Sequence, residues 1–124
     1  DTDRSRGLGD VYKRQVKISE PIQKIRPDYP FEVKVREPRK RPTRMGGTDA
    51  SVFAIEGVPT LGFTTEDFKG YDFDYGEIWH TERDLYTKNI PEYQEHTATV
   101  TAIIALGVAN LDKQLSREGL YTEE

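Results

Sequence analysis

The sequence predicts an α/β fold, and three observations carry that expectation. A short capped helix runs straight into an apolar segment between Thr48 and Phe63. The stretch FEVKVRE, Phe31 to Glu37, alternates apolar and polar side chains as a half-buried strand does. Near the end of the chain, Val100, Ile103, Ile104, Val108, Leu111 and Leu115 recur at helical spacing. A helix that feeds directly into a buried strand belongs to a sheet flanked by helices.

Taken in order, the first fifteen residues, DTDRSRGLGDVYKRQ, show neither a helical nor a strand period. The piece RSRGLGDVYKRQ resembles the translation of a sequencing-library adapter joined to a gene fragment. Residues 1–15 are therefore expected to be a non-native or disordered leader. VKISEPIQKI, Val16 to Ile25, fits a short helix, and PDYP then makes a turn. Strand Phe31–Glu37 follows, and Pro38 and Pro42 bracket a basic loop that ends at MGGTDAS. Thr48 is the expected N-cap of the next helix, with Asp49 in its first turn, where the helix dipole favours a negative charge. Val52, Phe53 and Ile55 are its expected buried face. Gly57 suits the left-handed position that ends it, and VPTLGF, Val58 to Phe63, reads as a buried strand. Residues 64–88 have no period and hold aromatic residues among acids. A loop of that length in a compact domain tends to be functional. Asn89 to Glu92 then fits a capping box that opens a helix reaching about Ser116. At 1.5 Å per residue that helix is about 39 Å long, enough to span a domain larger than this chain.

Composition narrows the function. The chain has 124 residues, 18 Lys and Arg, 22 Asp and Glu, and no cysteine. Without cysteine there is no disulfide framework, thiolate metal site or cysteine nucleophile. Charge is unevenly placed: residues 1–45 carry 13 Lys/Arg against 7 Asp/Glu, and residues 46–124 carry 5 against 15. The basic run REPRKRPTR is broken by prolines and lacks interleaved aromatics, so it reads as a solvated loop and no nucleic-acid partner is expected. The acidic half suits a cationic ligand or a metal. No apolar run approaches the roughly 20 residues of a membrane span.

Few residues can carry chemistry. His80 and His96 are the two histidines, and imidazole and carboxylate are the donors that zinc takes when thiolate is absent. His80 lies in YGEIWHTERD beside Trp79, the single tryptophan, while His96 falls early in the long helix. No HExxH, glycine-rich phosphate loop or nucleophile elbow occurs.

The order of these pieces resembles the C-terminal part of a zinc peptidase family. That family includes bacterial secreted aminopeptidases, glutamate carboxypeptidase and carboxypeptidase Q. The matching pieces are GGTDASVFAIEGVPTLGF, an aromatic acidic loop, WHTERD and a closing helix, over residues 46–112. The resemblance implies a mixed-sheet, helix-flanked zinc peptidase domain of which residues 16–124 are the C-terminal portion. It implies a site of two zinc ions with His80 as the last protein ligand, and Thr81 and Asp84 orienting the imidazole. Thr48, Asp49 and Trp79 would line the substrate pocket, Asp49 receiving a substrate ammonium or a hydrogen bond. The general base and the other ligands would lie upstream, in the missing N-terminal part of the domain, so the isolated chain is expected to be inactive. The substrate would be a peptide cut at a terminal bond by metal-activated water, and the location extracytoplasmic. Trp79 departs from the tyrosine common before this histidine. Trp-His-Thr is instead the pattern of glutaminyl cyclases, a related fold of one-zinc acyltransferases, whose Asp-Asp-His signature GTDAS does not match. A non-catalytic binding relative of the same fold is the remaining alternative.

Overall fold

The computed structural model describes the backbone of residues 2–122 and the side chains from Val11 to Thr122. Its frame is two helices. Helix α1 spans Thr2–Ile25 and the long closing helix spans Pro91–Ala109; in chain order the elements are α1, strand β1 (Arg39–Lys40), α2 (Ala50–Ile55), α3 (Tyr75–Ile78), a 3-10 turn (Tyr86–Lys88), α4 (Pro91–Ala109) and strand β2 (Tyr121–Thr122). The long closing helix is called α4 from here on.

Helix α1 begins fourteen residues before the expected start at Val16, within the stretch expected to be disordered. Its reason is visible from Val11 onward. Val11, Ile18 and Ile22 stand at heptad-like spacing and turn inward, with Val11 and Ile22 buried. Of the charged residues that blur the pattern, Lys13, Lys17, Glu20 and Lys24 are exposed. Pro21 sits inside the helix, where its missing N–H removes one intrahelical bond. Buried Ser19 donates its hydroxyl to the Val16 carbonyl at 2.8 Å.

Helix α1 packs on α4. Ile22, Val100 and Ile104 form the buried core, with Ile18, Phe31, Ile103 and Val108 against it. Gly107 makes the approach possible: a Cβ there would lie 2.3 Å from Ile18 Cγ2. Helix α4 stops at Ala109 rather than near Ser116, and Leu111 and Leu115 belong to the irregular segment beyond it. The capping box is not formed. Ile90 is the N-cap without a side-chain bond, and Glu92 is turned to Lys69 instead.

The turn after α1 is held by one amide. Gln23 Nε2 donates to the Tyr29 carbonyl at 2.8 Å, and Gln23 Oε1 accepts from Phe31 N at 3.0 Å. Beyond it, residues 31–37 run without turn or bend, and so do residues 58–63. Both were expected as strands. They are extended but have no ladder partner, because the only sheet among the described residues is the parallel pair β1–β2, with Arg39 opposite Tyr121 and Lys40 opposite Thr122. Between these segments and the two helices lies an open groove of about 940 Å³, with Phe31, Val33, Leu61, Phe63, Val100 and Ile104 on its walls.

Helix α2 is short. Asp49, not Thr48, is its N-cap, and it has helical angles and no side-chain bond. The Thr48 carbonyl accepts from Ser51 N and Ser51 Oγ at 3.1 and 2.7 Å. At the other end the expectation holds. Gly57 has φ +76°, Gly57 N bonds the Ala54 carbonyl and Val58 N bonds the Phe53 carbonyl, the paired closure that needs a left-handed residue. Of the expected apolar face, Val52 and Phe53 are exposed, Phe53 at 59%, Ile55 is half-buried, and Ala54 is the one buried residue.

Two substitutions test the helix pair. Ile22→Ala should lower the unfolding free energy by about 2–5 kcal/mol, the range for a buried large-to-small change. Gly107→Ala should also destabilise. Overpacking against Ile18 costs about 1–3 kcal/mol and outweighs the roughly 1 kcal/mol that alanine adds in a helix. Urea unfolding followed by circular dichroism measures both; a more stable Gly107→Ala variant would contradict the close approach.

Candidate functional site

The loop of residues 64–90 is tied to α4 through Tyr93. The Tyr93 hydroxyl donates to Asp67 Oδ1 at 2.7 Å and accepts from Lys69 N at 2.8 Å. Asp67 also accepts from Tyr71 N at 2.8 Å and Phe73 N at 3.2 Å, so one carboxylate closes the loop base. The Tyr93 ring meets Tyr71 at 5.4 Å and, edge-on, Tyr29 at 6.1 Å and Phe73 at 6.3 Å. The Tyr93 bond holds the Asp67 carboxyl below its ordinary range. Burial, and then Asp67, pushes the Tyr93 phenol up.

An ion pair sits beside this knot. Lys69 donates to Glu92 in a close contact and lies 3.5 Å from Asp28. Its ammonium stands 4.5 Å from the centre of the Tyr29 ring, whose surroundings also include Arg26, 4.8 Å from that centre. The Lys69 bond, with Tyr29 and Tyr71, lowers the Glu92 carboxyl to about 2. His96 stacks on Tyr29 at 4.4 Å. Its Nε2 is buried without a hydrogen bond, and burial, with Arg26 nearby, lowers the imidazole below its ordinary value. No local pattern marks this network as a whole, because Asp28 and Tyr29, Lys69, and Glu92 and His96 come from three separate parts of the chain. The adjacent Glu92 and Tyr93 at the start of α4 were its only local sign.

At the far end of the loop, Asp74 caps α3 by accepting from Gly76 N at 2.9 Å. Helix α3 ends at Ile78 with Trp79 as its C-cap, and His80 follows with φ +56°. A left-handed histidine is uncommon and conformationally costly. Thr81 fixes the turn: its hydroxyl bonds the Ile78 carbonyl at 2.7 Å and the Glu77 carbonyl at 3.2 Å, and accepts from Arg83 N at 3.2 Å. Asp84 N bonds the Thr81 carbonyl at 3.2 Å. The His80 ring lies on Trp79 with centroids 3.8 Å apart, and Tyr75 stacks on Trp79 at 6.1 Å. His80 is exposed, and no hydrogen bond engages its ring among the described residues.

Trp79, His80, Thr81 and Asp84 thus share one turn. Thr48 and Asp49 open α2, and no hydrogen bond or ring contact joins them to that turn. Thr81 serves the backbone rather than the imidazole, and the Asp84 side chain borders a small cleft with Phe73, Ile78 and Tyr86. His80 offers free ring nitrogens, but no three His, Cys, Asp or Glu side chains among the described residues are grouped to hold a metal. One imidazole does not make a zinc site, so the described residues do not fit a resident zinc ion by themselves. No helix among them is long and apolar enough to cross a membrane. Comparison with known proteins found no matching family model, no matching curated protein and no matching solved structure.

The electrostatics give a pH prediction. Both groups have folded pKa values depressed below their unfolded ones, so each adds stability at higher pH that is lost on acidification. For His96 the loss begins as pH falls through about 6.5, the ordinary value. For Glu92 it falls between the ordinary 4.5 and about 2. Thermal unfolding from pH 8 to 2 should fall in two windows. His96→Phe should flatten the upper one and Glu92→Gln the lower; an unchanged profile in either variant would refute its assignment.

Proposed function

We propose that this chain is the C-terminal portion of a zinc-dependent exopeptidase, with His80 the last protein ligand of a two-zinc site. The observation that carries the reading is the His80 turn. A left-handed backbone, a Thr81 clamp and a stacked Trp79 hold an imidazole outward with both nitrogens free, in an acidic loop anchored at its base. Strain of this kind is worth reading as functional when the surroundings over-determine it. The motif order over residues 46–112 supports the same assignment, and so do two extended segments, 31–37 and 58–63, that lack the neighbours a sheet would give them. The remaining ligands and the general base are proposed to lie in the rest of the domain. No step through the metal follows from the residues described.

Within this reading, His80 would ligate, Trp79 would wall the substrate pocket, and Thr48 and Asp49 would approach a peptide substrate from α2. Trp79 in place of tyrosine removes a phenol that could steady an oxyanion, leaving an indole N–H as donor. The Trp-His-Thr order also favours a second reading, a glutaminyl cyclase-like acyltransferase. Assay of the intact parent on aminoacyl amides against N-terminal glutamine peptides separates the two.

The first test is the coding sequence upstream of Val16. A longer frame with a histidine, an aspartate and a Glu-Glu pair in order supports the peptidase reading, and its absence removes it. In the intact parent, His80→Ala should lower turnover by at least about a hundredfold and weaken zinc binding to a similar degree. The 124-residue chain alone should show no zinc-dependent aminopeptidase turnover.

A further inference from the structure

The segment Phe31–Glu37 carries a second inference, about the chain as it stands. Its backbone is extended, yet none of the N–H or C=O groups from Glu32 to Glu37 makes a hydrogen bond among the described residues. Backbone polar groups in a strand-like segment demand partners, and a valine-rich edge left open is a template for another strand. Pro30 and Pro38 bracket it; lacking N–H groups, they confine a ladder to the residues between.

The sequence of that segment is complementary to itself. Run antiparallel to a second copy with Val33 opposite Val33, FEVKV places Phe31 opposite Val35, Glu32 opposite Lys34, and the same pairs again beyond the axis. Every apolar residue meets an apolar one on one face, and every charge meets its opposite on the other. Neighbouring registers fail. A shift that centres on Lys34 sets lysine against lysine, and one that centres on Glu32 sets glutamate against glutamate. A shift by one residue sets valine against charge. Phe31 already packs on the core of α1 and α4, so the apolar face of the ribbon has a floor to rest on. Val35 is 44% exposed in the single chain. Glu32 and Lys34 are exposed and make no ion pair among the described residues, so their charges are free to pair between copies.

We infer that the occupant of this edge is a second copy of the chain, joined by an antiparallel two-stranded ribbon of Phe31–Val35 about a two-fold axis through Val33. Such a contact is isologous and closes at the dimer. The inference concerns this chain as it stands and does not rest on the peptidase reading.

Sedimentation velocity of the 124-residue chain should show a concentration-dependent species of twice the 14.2 kDa chain mass. Lys34→Glu sets like charges opposite each other twice and should raise the dimer dissociation constant about tenfold. The double variant Glu32→Lys with Lys34→Glu should restore it. Circular dichroism should show all three chains equally folded. In the cysteine-free chain, Val33→Cys should form an intermolecular disulfide quickly on mild oxidation and Val35→Cys slowly, since only the former meets its own copy at bridging distance. A chain that stays monomeric at millimolar concentration overturns the inference. So does a dimer whose stability ignores the charge swap, or one that crosslinks through position 35 as fast as through 33.

Discussion

The hydrogen bond between Tyr93 and Asp67 is the interaction on which the rest of the arrangement depends. Tyr93 is buried at the first turn of α4, the helix that also supplies the core with Val100 and Ile104. Its hydroxyl reaches into the loop, and Asp67 distributes that attachment to the backbone at Tyr71 and Phe73. A hydrogen bond to a charged group is stronger than one between neutral groups, and the part-buried Tyr93 hydroxyl would lose most of its satisfaction without it. The loop that carries His80 is therefore rooted in the helix layer at its start, while the tip keeps its exposed rings.

Two kinds of order coexist in that loop. At its base the order is tertiary: Lys69, Glu92, Asp28 and four aromatic rings hold one another. At its tip the order is local. Asp74 caps α3, Thr81 closes the following turn, and Trp79 lies on His80, all within eight residues. A local device of this sort presents a side chain in a fixed direction without burying it. That suits a ligand or contact residue whose other partners come from elsewhere, and it is why the His80 turn, rather than the better-connected Lys69 network, is the centre of the proposed function.

The groove and the extended segments share one cause. Helices α1 and α4 cover each other along one seam, leaving Phe31, Val33, Leu61 and Phe63 beside a space that no described element fills. A sheet would satisfy both the apolar side chains and the backbone groups of residues 31–37 and 58–63. In the peptidase reading the rest of the domain supplies it; in the isolated chain the self-complementary edge offers the ribbon of a second copy.

What the sequence determined by itself was whatever depends on near neighbours. The apolar spacing of Val100, Ile103, Ile104 and Val108 marked α4, and Gly57 marked the left-handed close of α2. The turn at PDYP and the loop after Phe63 were legible from composition and period. The tertiary structure decided what depends on distant partners. Val11 is buried only in the folded chain, where α1 extends through a stretch whose charges conceal its period. Glu92 left the capping box for Lys69 because an ion pair across the loop competes with a local cap. Val52 and Phe53 stayed exposed, and the alternating segment at Phe31–Glu37 stayed unpaired, because alternation shows only that a strand can form. Whether it forms depends on a neighbour that brings the matching hydrogen bonds, and no pattern within seven residues can supply one.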